Sequence, residues 1–194
     1  MVNNLFETIL QVDKQVLIFL NNLGTEQWDP FWRAVTKQFN WIPLFATIIF
    51  LVIKAFGWKR GGFIILSMIV LVAFSDQFTN LVKNFIERLR PNNDPQIKDL
   101  LRTVNGYSPG GYSFMSGHAT TSTFFTVYTL LLLKDKYQKY IYLMLIFPLV
   151  FSYSRLYLGV HFPIDILTGI SIGIIFANLY FTLYKKLDQK LFKV

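Results

Sequence analysis

The chain has 194 residues, no cysteine, a formal net charge of +8 and a mean hydropathy of +0.41. Apolar residues make up 53% of it and charged residues only 15%, which argues against a soluble domain and against disorder. Without cysteine there is no disulfide, thiolate metal ligand or thiol nucleophile, and the basic excess lies beside apolar runs, pointing to membrane flanks rather than nucleic acid.

The first helical pattern covers 5–23. Leu5, Ile9, Val12, Val16 and Leu20 recur at helical spacing, while Glu7, Asp13 and Lys14 interrupt the run. It is either a membrane span packed inside a bundle or a helix lying in the interface. It has neither the basic start nor the small-residue cleavage site of a signal peptide and is expected to remain in the mature protein. Five uncharged or nearly uncharged apolar stretches follow, at about 40–57, 61–82, 117–134, 139–156 and 163–184, each long enough to span a bilayer. With the first segment they predict an all-α polytopic bundle of six transmembrane helices, one domain over 1–194, with amino-terminal helices over 1–60 and a core over 61–185. The segment 87–116, rich in Pro, Asn and Gly, is an extramembrane loop too short for a domain.

Lys and Arg set the orientation. Alternating spans put ten of them on the side of the termini and eight on the side of the long loop. Three of those eight, Lys83, Arg90 and Arg155, are explained below by chemistry. The positive-inside rule then places both termini in the cytoplasm and the loop outside it. The expected location is the cytoplasmic (inner) membrane, multi-pass, with the site on the extracytoplasmic face.

Three polar clusters lie on that face. Lys83 and Arg90-Pro91 end the third span; seven residues apart, the two cations are expected on one helix face, with Pro91 stopping the helix. Alone, this is a basic flank anchoring a helix end. Gly110 to His118 precede the fourth span. Ser116 is a natural N-cap, and glycines such as Gly117 let backbone N–H groups approach an anion; alone, this is a flexible loop with a capping serine. Ser154-Arg155, His161 and Asp165 join the last two spans. Pro163 suits a first helical turn, and Asp165, four residues past His161, can reach one imidazole nitrogen; otherwise it stabilises a helix start. Alternating span direction brings all three clusters to one membrane side. Two histidines, three cations, an anion-cradling loop and one carboxylate make a site for phosphoryl chemistry. Asp76, inside the third span, is either functional or a buried polar partner between helices.

With Lys83…Arg90-Pro91, Ser116-Gly117-His118 and Ser154-Arg155…His161…Asp165 in order and at these spacings, the chain resembles the type-2 phosphatidic acid phosphatase superfamily of membrane lipid phosphatases. The likeness is close over 60–185. Met115 stands where the family pattern has proline, which supplies no catalytic group. The resemblance implies that His161 is the nucleophile, Asp165 orients it, and His118 protonates the leaving group and then activates water. It also implies that Lys83, Arg90, Arg155, Ser116 and the Gly117 backbone hold the phosphoryl oxygens. No carboxylate or histidine cluster remains for a metal, so no cofactor is expected and hydrolysis should be metal-independent.

The expected substrate is a phosphorylated lipid anchored in the bilayer. Undecaprenyl diphosphate in lipid-carrier recycling comes first and lipid A second, with phosphatidylglycerophosphate and phosphatidic acid also offered by the resemblance. A soluble vanadate-dependent haloperoxidase would share the site, but the spans speak against it. A non-enzymatic lipid-phosphate binder or transporter would need the cradle but not both histidines.

Overall fold

Three backbone breaks cut the apolar runs into helices. In the computed structural model, which describes residues 2–104 and 106–192, the helices are α1 (Val2–Asn22), α2 (Asp29–Val35), α3 (Ile42–Ile86), α4 (Gly117–Tyr137), α5 (Ile146–Tyr157) and α6 (Pro163–Phe192). Gly57 leaves helical geometry inside α3 (φ 74°, ψ 174°), a conformation a residue without Cβ adopts at little cost. The break divides α3 into 42–56 and 58–86. Gln138 (φ 48°) ends α4, and a 3₁₀ stretch, Gln138–Leu145, leads into α5. Helical segments thus cover each of the expected stretches. Three stretches built from these helices, Gln38–Asn93, Gly117–Tyr157 and Pro163–Phe192, are long and apolar enough to cross a membrane.

The third break corrects an expectation. Lys83 and Arg90 do not share a helix face, because α3 ends at Ile86. Glu87 takes the left-handed conformation (φ 53°) and donates its N–H to Lys83 O at 2.9 Å, an αL-type stop. The chain then runs back in extended form through Arg90 (φ −70°, ψ 152°). The two cations still converge, one from a helix end and the other from the returning strand of loop.

α4 is the central element. Thr120, Thr123, Thr126, Thr129, Phe124 and Tyr128 are all buried. α6 packs against it through Gly169, Gly173 and Ala177, spaced by four, the small-residue stripe that lets membrane helices approach closely. A Cβ on Gly173 would come within 2.8 Å of Thr120 O and 3.0 Å of Phe124 N, and one on Gly169 within 2.9 Å of Ser116 O. This approach sets the start of α4 against the start of α6.

α1 turns its polar side inward. Asp13 and Asn21 are buried, whereas Leu5, Phe6, Ile9, Val12, Val16 and Phe19 face outward. Lys14 pairs with Asp94 at 2.8 Å, and Asn21 donates to Tyr157 O and accepts from Arg102 N, both at 2.7 Å. Asp76 is not a buried partner between helices. It lies on the outer surface of α3, where Asn80 Nδ2 donates to it at 3.3 Å.

Gly173→Ala should therefore destabilise the fold by about 1–3 kcal/mol, since the clashing atoms are backbone and cannot rotate away. Gly62→Ala, on α3 with open space around it, should be neutral or stabilising by roughly 0.5–1 kcal/mol. Melting temperatures of the two variants in one detergent check this; equal shifts would show that the α4–α6 contact is loose.

Candidate active site

His161 occupies the five-residue link between α5 and α6 and is buried, as is Asp165 in the first turn of α6. Its Nδ1 lies 3.4 Å from Asp165 Oδ2, which also accepts the Phe162 N–H at 2.9 Å. On the other side of the ring, Arg90 donates a guanidinium N–H to Nε2 at 3.2 Å. An arginine cannot accept, so Nε2 carries the lone pair and Nδ1 the proton, directed at the carboxylate. Burial first, and then the charges of Arg155, Arg90 and Lys83, push the His161 imidazole well below its ordinary value of 6.5. The ring is neutral at pH 7.

The three predicted cations meet around this ring. Arg90 is oriented by Gly110 O at 3.0 Å and Val160 O at 3.1 Å. Arg155 is buried and donates to the Thr36 hydroxyl and to Tyr107 Oη at 2.9 Å. Lys83 feels the charges of both arginines, and its Nζ would lie 3.6 Å from a Cβ at Gly117. A Cβ there would press on the Thr79 hydroxyl, at 3.3 Å, and sit in contact with Lys83.

Ser116 caps α4 by accepting the Ala119 N–H, and its own N–H donates to Asp165 O at 3.1 Å. The loop before it is packed: Met115 is buried and Ser113 N–H donates to Arg88 O at 2.8 Å. His118 stacks on Phe151 at 4.5 Å, and its Nε2–H donates to Thr36 O at 3.3 Å. It lies within electrostatic range of His161, Arg155 and Lys83. Lys83, Gly117 and His118 keep part of their surface exposed and form the rim of the site.

All eight predicted residues are thus brought to one cluster. Four others are there that the sequence reading did not assign to it. Thr36 touches both His118 and Arg155, and Tyr107 holds Arg155. Arg88 bonds Asp165 Oδ1 at 2.7 Å and Asp13 Oδ2 at 2.6 Å. Arg88 lies inside the first motif and Asp13 interrupts an apolar stripe, which are the two signals available in the sequence. Thr36 and Tyr107 offer none. Among the described residues no group of three His, Cys, Asp or Glu side chains could hold a metal ion. The arrangement presents a buried neutral imidazole with a fixed tautomer, three converging cations and a helix start, a set suited to attack on a phosphoryl group.

The chain is 32% identical to the lipid A 4′-phosphatase of Bacteroides thetaiotaomicron over 189 residues, covering 96% of this chain and 83% of the relative. To the lipid A 4′-phosphatase of Porphyromonas gingivalis it is 28% identical, covering 92% and 75%. In fold it is similar to the crystal structure of a transmembrane PAP2-type phosphatidylglycerolphosphate phosphatase from Bacillus subtilis, with a TM-score of 0.69 at 22% identity, covering 95% of this chain and 88% of that one. The PAP2 superfamily model matches residues 61–189, the span that holds every predicted site residue. The chain is therefore a member of the PAP2 superfamily, an integral membrane lipid phosphatase.

Proposed function

We propose that the protein removes a phosphate monoester from the headgroup of a lipid A-type glycolipid, through a phosphohistidine intermediate and without a metal ion. The observation that carries the chemistry is the His161 ring, with Nδ1 facing Asp165 and Nε2 facing Arg90. In the first step Nε2 attacks phosphorus, the P–N bond forms and the P–O bond to the lipid breaks. The leaving oxygen takes a proton from His118. Asp165 stabilises the imidazolium-like ring that results, as a triad aspartate does. In the second step His118 takes a proton from water as its oxygen attacks phosphorus. The P–N bond breaks, and inorganic phosphate and neutral His161 are regenerated. With Nε2–H tied to Thr36 O, the His118 nitrogen that exchanges the proton is Nδ1. Lys83, Arg90, Arg155, Ser116 and the Gly117 backbone neutralise the phosphoryl oxygens, where removal of one such donor costs roughly 10²–10³ in turnover.

The substrate rests on the relatives. Both lipid A 4′-phosphatases match over at least nine-tenths of this chain, hence over most of the amino-terminal sixty residues that lie outside the family model. This support reverses the order expected from sequence, where undecaprenyl diphosphate came first. The location proposed is the inner membrane, with the site on the extracytoplasmic face.

Purified protein in excess EDTA should release phosphate faster from lipid A than from undecaprenyl diphosphate, phosphatidylglycerophosphate or phosphatidic acid. His161→Ala should lower turnover by on the order of 10⁴ or more while still binding vanadate through the three cations. Activity that needs added Mg²⁺, or that survives the substitution, would overturn the mechanism.

A low-lying His161 also fixes a pH dependence. The nucleophile must be neutral, so activity is present above its folded-state value and is lost as pH falls through it. The acid limb of kcat/KM should therefore lie below the imidazole's ordinary 6.5. A limb at or above that value would show that the ring is not held neutral.

Orientation is read with single cysteines, since the chain has none of its own. Asn93 and Gln189 are both exposed. An impermeant thiol reagent added to intact spheroplasts should label Asn93→Cys and spare Gln189→Cys; the reverse pattern would put the site in the cytoplasm.

A further inference from the structure

Asp13 lies on the first helix, outside all three motifs and outside residues 61–189, yet it is bonded to the loop that follows α3 and to the start of α6. Its Oδ2 accepts Arg88 Nη2–H at 2.6 Å and its Oδ1 accepts the Ile164 N–H at 2.9 Å. Arg88 spends its second nitrogen on Asp165 Oδ1 at 2.7 Å and lies with its guanidinium over the Phe162 ring at 3.8 Å. Asp165 then has only Oδ2 for the His161 Nδ1–H. The side chains of Asp13 and Asp165 are fully buried, and that of Arg88 is part-buried.

Resting on the reading of His161 as nucleophile, we propose that Asp13 and Arg88 are positioning residues for the reaction. They form an Asp13–Arg88–Asp165 chain that fixes the rotation of the Asp165 carboxylate and thereby the proton and orientation of His161. A carboxylate with one oxygen unheld can turn about its last torsion, and either oxygen then meets the ring. Arg88 removes that freedom by taking Oδ1. A fork reaching two carboxylates needs a second anchor, or it pivots about the first; Asp13 supplies it. By holding Ile164 N–H as well, Asp13 ties the guanidinium to the same helical turn that carries Asp165. The amino-terminal helix is in this way part of the catalytic apparatus, although it contributes no group to the phosphoryl site.

The chain contains only two histidines, so ¹⁵N-histidine NMR of the purified protein in nanodiscs reads His161 directly and without substrate. In the parent protein the His161 signal should be that of a single Nδ1–H tautomer. Asn at position 13 has one acceptor oxygen and cannot serve both Arg88 and Ile164. In Asp13→Asn, the His161 resonances should therefore move toward those of Asp165→Asn, with a second tautomer appearing, while His118 stays in place. Turnover should fall about tenfold or more, with KM and vanadate affinity within twofold. Arg88→Lys keeps the charge but loses the fork and should give the same pattern, carrying the test should Asp13→Asn not fold. Lys14→Gln breaks a neighbouring α1 ion pair, to Asp94, and should leave the His161 resonances and kcat within twofold. His161 resonances unchanged in folded Asp13→Asn, or an equal shift in Lys14→Gln, would overturn the proposal. A parent protein that releases phosphate from no lipid would instead sink the proposed function, and the resonances would still decide the role of Asp13.

Discussion

Holding three cations together at the end of a membrane bundle is the condition on which this structure turns. Like charges at close range repel, and burial strengthens the repulsion by lowering the local dielectric. Arg90 and Arg155 are both buried, so neither can discharge its cost into water. Each is instead held by fixed oxygens: carbonyls of Gly110 and Val160 for Arg90, hydroxyls of Thr36 and Tyr107 for Arg155. These neutral acceptors orient the guanidinium groups without cancelling their charge. A carboxylate in their place would have neutralised the pull on a phosphate. The carboxylates that are present, Asp165 and Asp13, are engaged by a separate cation, Arg88. The cluster is thereby divided into a side of Lys83, Arg90 and Arg155, proposed to meet the phosphate, and a side where Arg88 is paired with Asp13 and Asp165.

That division depends on helix ends meeting within a few tenths of an ångström. The Gly169–Gly173 stripe brings α6 against the first turns of α4, and the Ser116 N–H reaches Asp165 O as a result. The same two helix starts therefore carry the proposed anion cradle and the carboxylate proposed to orient His161. Bilayer lipids give apolar faces little reason to choose one another, so close packing of small residues and polar contacts have to fix the arrangement. α1 shows the second device. Its outer stripe is apolar and its inner stripe carries Asp13, Lys14 and Asn21, each bonded across to the loop or to α5 and α6.

Much of this was legible in the sequence. Charges punctuate the apolar runs and marked five spans, and three motifs at fixed spacings named the eight residues that cluster around His161. What could not be read depended on backbone conformations and partners far along the chain. The seven-residue spacing of Lys83 and Arg90 suggested a shared helix face, but Glu87 in the left-handed region ends the helix between them; a glutamate there carries no local signal of that stop. Asp76 and Asp13 look alike as carboxylates inside apolar helices. One faces outward beside Asn80 and the other is buried against Arg88, and only the rotation of each helix decides which. Thr36 enters through its backbone carbonyl as well as its hydroxyl, and a carbonyl is present at every residue. Gly169 and Gly173 did stand in the sequence at the spacing of a helix contact, although nothing there said which helix they would meet.

The register of α3 against α6 is the last element that the chemistry requires. Two Arg–Asp pairs join these segments at opposite ends. Arg60, just past the Gly57 break, bonds Asp188 through both Nε and Nη2, and Tyr184 Oη supports the same carboxylate at 3.0 Å. Arg88, just past the other end, bonds Asp165. Asp165 and Asp188 are separated by about 35 Å of helix at 1.5 Å per residue, so the two pairs pin the whole length of α6. Between them, Tyr180 Oη donates to Ser67 O at 2.9 Å and Phe176 packs on Phe74 and Phe78. A slip of one helical turn, about 5.4 Å, would break both pairs at once. In each pair the carboxylate is buried, and breaking the pair would leave that charge without its partner. Slippage is therefore disfavoured at both ends together, and Asp165 stays at the one height on α6 from which its carboxylate reaches His161.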